Sequence, residues 1–331
     1  MRHFFVINPH SFRTLSSIKR ILVDLESCFS VGNRMDYRTY VSRRPRDAVA
    51  AVNRYLKSVP SNETVRVYAV GGDGILFDCL NGMVHFKNAE LTSVPYGIAN
   101  DFVRAFGDGA KQAFRDIKKL SQAPSRYIDI IHCGANYGLI EVNVGLVGLT
   151  MIKANEILRF GNKNRLRKYT PAIYNISAVK ALFASDVIKQ NYSIMIDGND
   201  MSGKYCNIHI ANNACDGGSF VPSPYAIPND GQLDAIFLKS CKRLEMIPMI
   251  KSRNNGQFEK YDAFVYKRCR EVDIASDVPL CIQIDGESFY SKEIKLKIIP
   301  DGIKVFAPEG LDLVDFSHLA YKPAKEGAAA K

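Results

Sequence analysis

The feature that most constrains the fold is a change of texture near residue 126. Up to that point strand-like and helix-like runs alternate: HFFVINP, LSSIKRILVDLESCF, DYRTYVS, RDAVAAVNRYLKSV, VRVYAV, ILFDCLNGMVHF, LTSVPYG and GAKQAFRDIKKL. Strands separated by helices pair in parallel, so residues 1–126 predict a three-layer α/β domain. Beyond it the runs are short and β-branched, and they are cut by Asn-Gly or Asp-Gly turns: YIDIIHCGANYGLIEVNVG, YSIMIDGND, GKYCNIHIANN, GQLDAIFLK, LCIQIDGES and EIKLKIIPDGIKVFAP. This spacing predicts an antiparallel β-sandwich over residues 127–301. A chain of 331 residues, 47% of them hydrophobic, suffices for both units. The segment KPAKEGAAAK at the end has the composition of a disordered tail.

Composition narrows the chemistry. The eight cysteines form no C-x-x-C pair, and the six histidines form neither H-E-x-x-H nor a Cys/His cluster. The expectation is reduced thiols, no zinc site and a cytoplasmic protein. MRHFFVINPH is too poor in apolar residues for a signal peptide, and no run approaches the ~18 apolar residues of a membrane span. With 44 basic and 34 acidic residues the chain carries +10, which favours anionic partners. Part of this excess is local, in RFGNKNRLRK (159–168), ahead of the helix-like YTPAIYNISAVKALFA. A solvated helix end and a phosphate or membrane-surface contact both fit it. Nucleic-acid binding rests on charge alone, because no basic stretch interleaved with aromatics accompanies it.

YAVGGDGILFDCLNG (68–82) places an acid, Asp73, among Gly71, Gly72 and Gly74 where a buried strand turns into a helix. Glycine there allows positive φ and lets backbone N–H groups approach a ligand closely, and helix N-termini attract phosphate. A carboxylate beside a phosphate costs about 4 kcal/mol at 4 Å and an effective dielectric of 20, unless a divalent cation bridges the two. A metal-assisted polyphosphate site, most simply Mg²⁺ with ATP, answers this pattern. A tight turn with Asp73 as N-cap answers it too. Neither G-x-G-x-x-G nor the Walker motif is present.

A second strand-turn-helix, VPYGIANDFVRAFG (94–107), puts Asn100 and Asp101 at capping positions. The carboxyl ends of neighbouring parallel strands form one crevice, so the two turns share a site. Asp129 in YIDII stands at the domain junction as a third carboxylate. In QIDGES, Asp285 and Glu287 share a strand face if the backbone stays extended, whereas IDG is equally an ordinary hairpin turn.

In order and spacing, NPHSFR, VGGDGILFDCLNG, PYGIANDFVRAFG, YIDI, NVGLVG, NDGQLD, QIDGE and IKVFAP resemble the diacylglycerol kinase catalytic family, in particular its soluble bacterial lipid kinases, over residues 3 to about 310. GGDG alone is shared with NAD kinases and 6-phosphofructokinases of the same superfamily. The resemblance implies an ATP-binding α/β domain, a β-sandwich domain for the lipid, a cleft between them as active site, and a final segment, 302–331, returning to the first domain. It implies that Asp73, Asp101 and Asp129 belong to a carboxylate, water and Mg²⁺ network, that Asn8, Arg13, Gly71, Gly72, Gly74 and Asn100 face the nucleotide, and that Asp285 is the general base with Glu287 beside it. Asp230 matches a structural Mg²⁺ ligand, and Arg165 or Arg167 the place of an essential lysine.

The expected reaction is transfer of the ATP γ-phosphoryl to the hydroxyl of diacylglycerol or a related lipid, at the inner membrane face, within phospholipid metabolism. Homodimerisation is left open, and no nucleic acid is expected as a partner. Phe12, Arg13, Ile75 and Ile98 depart from the family pattern by replacing a glycine, a lysine and two threonines. Two alternatives therefore stand beside the lipid kinase: a kinase of NAD or a sugar phosphate, and an inactive nucleotide or membrane sensor.

Overall fold

The computed structural model describes residues 1–12, 15–29, 36–160, 169–184 and 187–322. In chain order the first unit runs β1 (Arg2–Ile7), α1 (Leu15–Phe29), β2 (Asp36–Val41), α2 (Asp47–Lys57), β3 (Val65–Gly71), α3 (Asp73–Met83), β4 (Ala89–Pro95) and three short helices, α4 (Asp101–Arg104), α5 (Ala110–Ala113) and α6 (Ile117–Leu120). The strands pair in parallel in the order β4-β3-β1-β2. Every residue of β3 and β4 is buried, as expected of strands covered on both faces. In α2, Ala48, Val52 and Leu56 recur at helical spacing and supply its buried face.

The second unit continues with β5 (Ser125–Cys133), β6 (Asn136–Gly138), β7 (Glu141–Gly145), α7 (Leu146–Phe160), α8 (Thr170–Phe183), β8 (Asn191–Ile196), β9 (Asn199–Asp200), β10 (Gly203–Ala211), β11 (Leu233–Lys239), α9 (Arg243–Asn254), β12 (Phe264–Cys269), β13 (Glu271–Ile284) and β14 (Glu287–Phe306). These strands pair antiparallel, apart from the contact of β14 with β4. Strand β8 alternates exposed and buried residues over NYSIMI, and Ile194 and Ile196 enter a core separate from that of the parallel sheet. Asp197-Gly198 and Asp285-Gly286 both have positive φ, the signature of two-residue hairpin turns.

Strand β14 joins the two units. Its first half pairs with β13, whereas Lys304 and Val305 pair in parallel with Glu90 and Leu91 of β4. A buried cluster fixes this seam: Glu90 accepts from Arg66 at 3.0 Å and from Ser125 Oγ at 2.6 Å, and it pairs with Lys304 at 3.2 Å. Burial alone would raise its pKa, but Ser125, Lys304 and Arg66 together hold the carboxyl below its ordinary value. Among the described residues no helix is long and apolar enough to cross a membrane.

Candidate active site

Parallel pairing brings the carboxyl ends of β1, β3 and β4 to one edge, and the two glycine turns meet there. Tyr96 and Gly97 donate their N–H groups to the Gly71 carbonyl at 2.7 and 2.8 Å. A Cβ on Gly97 would lie 2.3 Å from Gly72 Cα, and one on Gly71 would lie 2.8 Å from Ile75 Cγ2 and 2.9 Å from Ser11 Oγ. The expected positive φ is not what these glycines supply, since Gly72 is extended at φ −110°. Gly72 and Gly97 are small because two backbones touch, and Gly71 because the side chains of Ile75 and Ser11 close on it. Gly74, exposed in the first turn of α3, differs from them, because a Cβ added there would have nothing within 4 Å.

Asp73 is the first residue of α3, and Gly72 occupies its N-cap. The carboxylate reaches instead to the neighbouring turn, where its Oδ1 accepts the Phe102 N–H at 3.4 Å. Burial, with the charge of Asp101 next and Asp285 adding, pushes its pKa up to about 7. Asp101, buried at the start of α4, accepts from Arg104 Nη1 and from the Gly218 N–H, both at 2.9 Å. Burial still leaves its pKa raised. Asn100 sits at φ 57° and closes on its own turn, accepting the Gly97 N–H at 3.0 Å and donating to the Gly97 carbonyl at 2.9 Å. Asn8 caps the turn Pro9–Ser11 by accepting the His10 N–H at 3.0 Å.

Asp285 is a hairpin residue at φ 44°, so the extended alternation with Glu287 does not form: Asp285 is buried and Glu287 exposed. Its carboxylate accepts the N–H groups of Leu139 at 2.6 Å, Ile140 at 3.0 Å and Glu141 at 2.9 Å. Burial pushes its pKa up to about 6 against those three bonds, and Asp101 adds to the rise. The other Asp-Gly hairpin supplies a comparison, because Asp197 accepts the N–H groups of Arg270 at 3.0 Å and Glu271 at 2.8 Å in the same manner. Asp197 does so where it is exposed. What singles out Asp285 is burial beside Asp73 and Asp101.

Asp129 and Asp230 are engaged by partners of their own. Asp129 is buried with both oxygens engaged, Oδ1 by the Asp301 N–H at 2.9 Å and Oδ2 by the Gly231 N–H at 2.7 Å. Asp230 forms an ion pair with Arg268, which also reaches Asp234 at 4.0 Å. Arg268 is thus the cation that faces Asp230. Arg13, Arg165 and Arg167 lie outside the described residues. Phe12 is buried and packs on Tyr96 with ring centroids 4.8 Å apart, Ile75 is buried, and Ile98 is exposed.

Sequence reasoning missed a buried polar layer behind the carboxylates. Glu141 faces His209 at 3.3 Å and accepts from Asn143 at 2.9 Å. Burial raises the Glu141 pKa well above normal, and burial followed by Arg253 lowers that of His209, so desolvation pushes both toward their neutral forms. Asp216 is pushed up to about 6 by burial and then by Asp101. The available signals were a lone acid within the apolar LIEVNVG and the Asp-Gly-Gly after a buried strand.

Asp73 and Asp101 present hard oxygen donors in a desolvated crevice, which suits Mg²⁺ held by one or two carboxylates with phosphate and water completing its shell. Among the described residues no three or more His, Cys, Asp or Glu side chains form a metal-binding group of their own.

Residues 2–133 match the diacylglycerol kinase catalytic domain, and residues 154–307 match the YegS C-terminal NAD kinase beta sandwich-like domain. Two Staphylococcus aureus proteins, from strains MSSA476 and Newman, each named "Putative lipid kinase", are 24% identical over 247 residues, which is 74% of this chain and 78% of theirs. The solved structure titled "The crystal structure of a diacylglycerol kinases from Bacillus anthracis str. Sterne" aligns at TM-score 0.67 and 16% identity, over 94% of this chain and 98% of that one. A second Bacillus anthracis structure with a diacylglycerol kinase title aligns at TM-score 0.71 and 19% identity, with the same coverage. The chain thus carries a diacylglycerol kinase catalytic domain match at residues 2–133, followed by the matching sandwich at residues 154–307.

Proposed function

We propose that the protein is an ATP-dependent lipid kinase that transfers the γ-phosphoryl group to the primary hydroxyl of diacylglycerol or a related lipid. The observation that carries this reading is the gathering of Asp73, Asp101 and Asp285 beside two glycine turns in backbone contact. Asp73 accepts the N–H of Phe102, the residue after Asp101, at 3.4 Å, the charges of Asp101 and Asp285 raise its pKa, and Asp101 raises that of Asp285. The touching turns leave a narrow edge of peptide N–H groups at the start of α3, suited to phosphate. Gly74 keeps the first turn of that helix free of a side chain, so a phosphate can approach its backbone.

Asp73 and Asp101 are the residues that would hold Mg²⁺, which supplies neutralisation of phosphate charge when bound. Asp285 would take the proton from the acceptor hydroxyl. A carboxyl titrating near 6 is a stronger base than an ordinary aspartate, yet it remains mostly ionised at neutral pH. Leu139, Ile140 and Glu141 fix its direction through their N–H groups, so little motion precedes transfer. Arg104 holds Asp101 and donates to the Phe220 carbonyl at 3.1 Å, tying the sandwich loop to the α/β unit across the cleft.

The test is transfer from labelled ATP to detergent-dispersed diacylglycerol, with NAD, sugar phosphates and sphingoid bases in parallel. A labelled lipid product that disappears in Asp285→Asn supports the reading. Labelled NAD with no labelled lipid, or no transfer to any acceptor, refutes it.

A further inference from the structure

The described surface carries an apolar face on two neighbouring helices of the second unit. On α8, Ile176, Val179 and Phe183 are 53, 56 and 61% exposed, and they recur at a spacing that places them on one outward face. On α9, Leu244 and Ile247 are 75 and 53% exposed. The two helices are neighbours: Arg243 Nε donates to the Leu182 carbonyl at 3.2 Å, and the inward residues Ala181, Leu182 and Met246 share one core. Single exposed apolar residues are ordinary, but two adjacent helices with filled inner faces and apolar outer faces are not.

Charge chooses the occupant. Beside the apolar stripe lies a depression of about 470 Å³ lined by Lys189, Lys242, Arg243 and Leu244, with Glu245 its one acid. Lys180 is exposed on α8 itself. Large apolar side chains rimmed by cations are complementary to a bilayer bearing anionic headgroups, where insertion and charge act together. A second copy of a chain carrying +10 would bring like charge against like. The face is joined to the Asp285 hairpin through α7, whose Asn155 donates to Ser288 Oγ at 3.0 Å and whose Leu149 and Ile152 share a core with Ala181 and Leu182 of α8.

Resting on the lipid-kinase reading for its purpose though not for its evidence, we infer that the joint outer face of α8 and α9 seats on an anionic membrane. Ile176, Val179, Phe183, Leu244 and Ile247 enter the interface, and Lys189, Lys242 and Arg243 meet lipid phosphates. A bilayer-borne acceptor then reaches Asp285 from the membrane side without leaving the lipid phase.

The test is co-sedimentation of the full chain with phosphatidylcholine vesicles, with and without phosphatidylglycerol. Wild type should bind the anionic vesicles. Val179→Asp combined with Phe183→Asp should weaken binding by at least tenfold, and Lys189→Gln or Lys242→Gln by about fivefold each. Both positions in the double variant are exposed, and an unchanged thermal midpoint would show that it folds. Turnover of a dispersed short-chain acceptor should be unchanged in it, whereas turnover on vesicles should fall with binding. Wild type that ignores anionic vesicles, or a double variant that binds like wild type, overturns the inference. So does a wild-type dimer that the double variant dissolves while vesicle binding persists. Vesicle binding without phosphorylation of any acceptor would sink the kinase reading and leave the docking face standing.

Discussion

Replacing Gly97 by alanine isolates what the contact of the two turns contributes. The added methyl would sit 2.3 Å from Gly72 Cα, with the Gly72 nitrogen at 3.0 Å, so backbone must move on at least one side. Restoring ordinary van der Waals separation requires a shift of about 1 Å, because the obstacle is main chain and no rotamer relieves it. Overpacking of this kind costs about 1–3 kcal/mol of stability. The catalytic cost should be larger, because the shift separates Asp73 on one turn from Asp101 on the next, and a misplacement of ~1 Å can cost 10²-fold in rate. Gly74→Ala is the matched control. Nothing lies within 4 Å of its added methyl, so the helix should gain about 0.4–1 kcal/mol. ATP affinity should nevertheless fall, because the methyl stands where phosphate must approach. Thermal midpoints, calorimetric titration with ATP and Mg²⁺, and turnover with dispersed diacylglycerol separate the two cases. A Gly97→Ala protein with wild-type turnover would refute the argument that the crevice is set by backbone contact. A Gly74→Ala protein with unchanged ATP affinity would remove phosphate from the start of α3.

Other perturbations test single links. Asp285→Asn keeps the shape but loses the base, so kcat should fall at least 10²-fold with ATP affinity retained; an unaltered kcat assigns Asp285 the same clamp role as Asp197. Asp73 has a folded pKa raised to about 7, so the stability it contributes is fully present below its unfolded value and is lost as pH rises through about 7. Asp73→Asn should therefore raise the thermal midpoint more at about pH 8 than at about pH 5, and an equal effect at both would contradict the desolvation of this carboxyl. Arg66→Ala leaves Glu90 buried and breaks bonds to the Ser121 and Ala123 carbonyls at 2.8 and 2.7 Å, so urea unfolding should show a loss of about 3–5 kcal/mol. Arg268→Ala should make the thermal midpoint rise more with Mg²⁺ than that of wild type, because Asp230 and Asp234 then lose their resident cation and offer a second site. Wild type stabilised by Mg²⁺ through Asp230 would reverse that reading.

What the sequence made legible were features written in local patterns. The alternation before residue 126 was enough to expect a parallel sheet, because buried strands such as VRVYAV and amphipathic helices such as α2 carry their periodicity within a dozen residues. The two glycine turns were readable for the same reason, and parallel pairing then brought them together. The illegible part depends on register between distant strands. Nothing near Asp129 announces that Asp301 and Gly231 will claim its oxygens, from 172 and 102 residues away. Arg268 stands 38 residues from Asp230, and only the pairing of β11 with β12 sets a guanidinium against it. Glu141, His209 and Arg253 fall in three separate elements, and each alone reads as a stray polar residue in apolar surroundings. The buried layer therefore became visible only after folding. Carboxylates at the edge of the sheet keep raised pKa values because burial outweighs their backbone hydrogen bonds, and the charge of Asp101 adds to the rise at Asp73 and Asp285. In the proposed kinase, Mg²⁺ with its phosphates would relieve the repulsion that Asp101 exerts on Asp73.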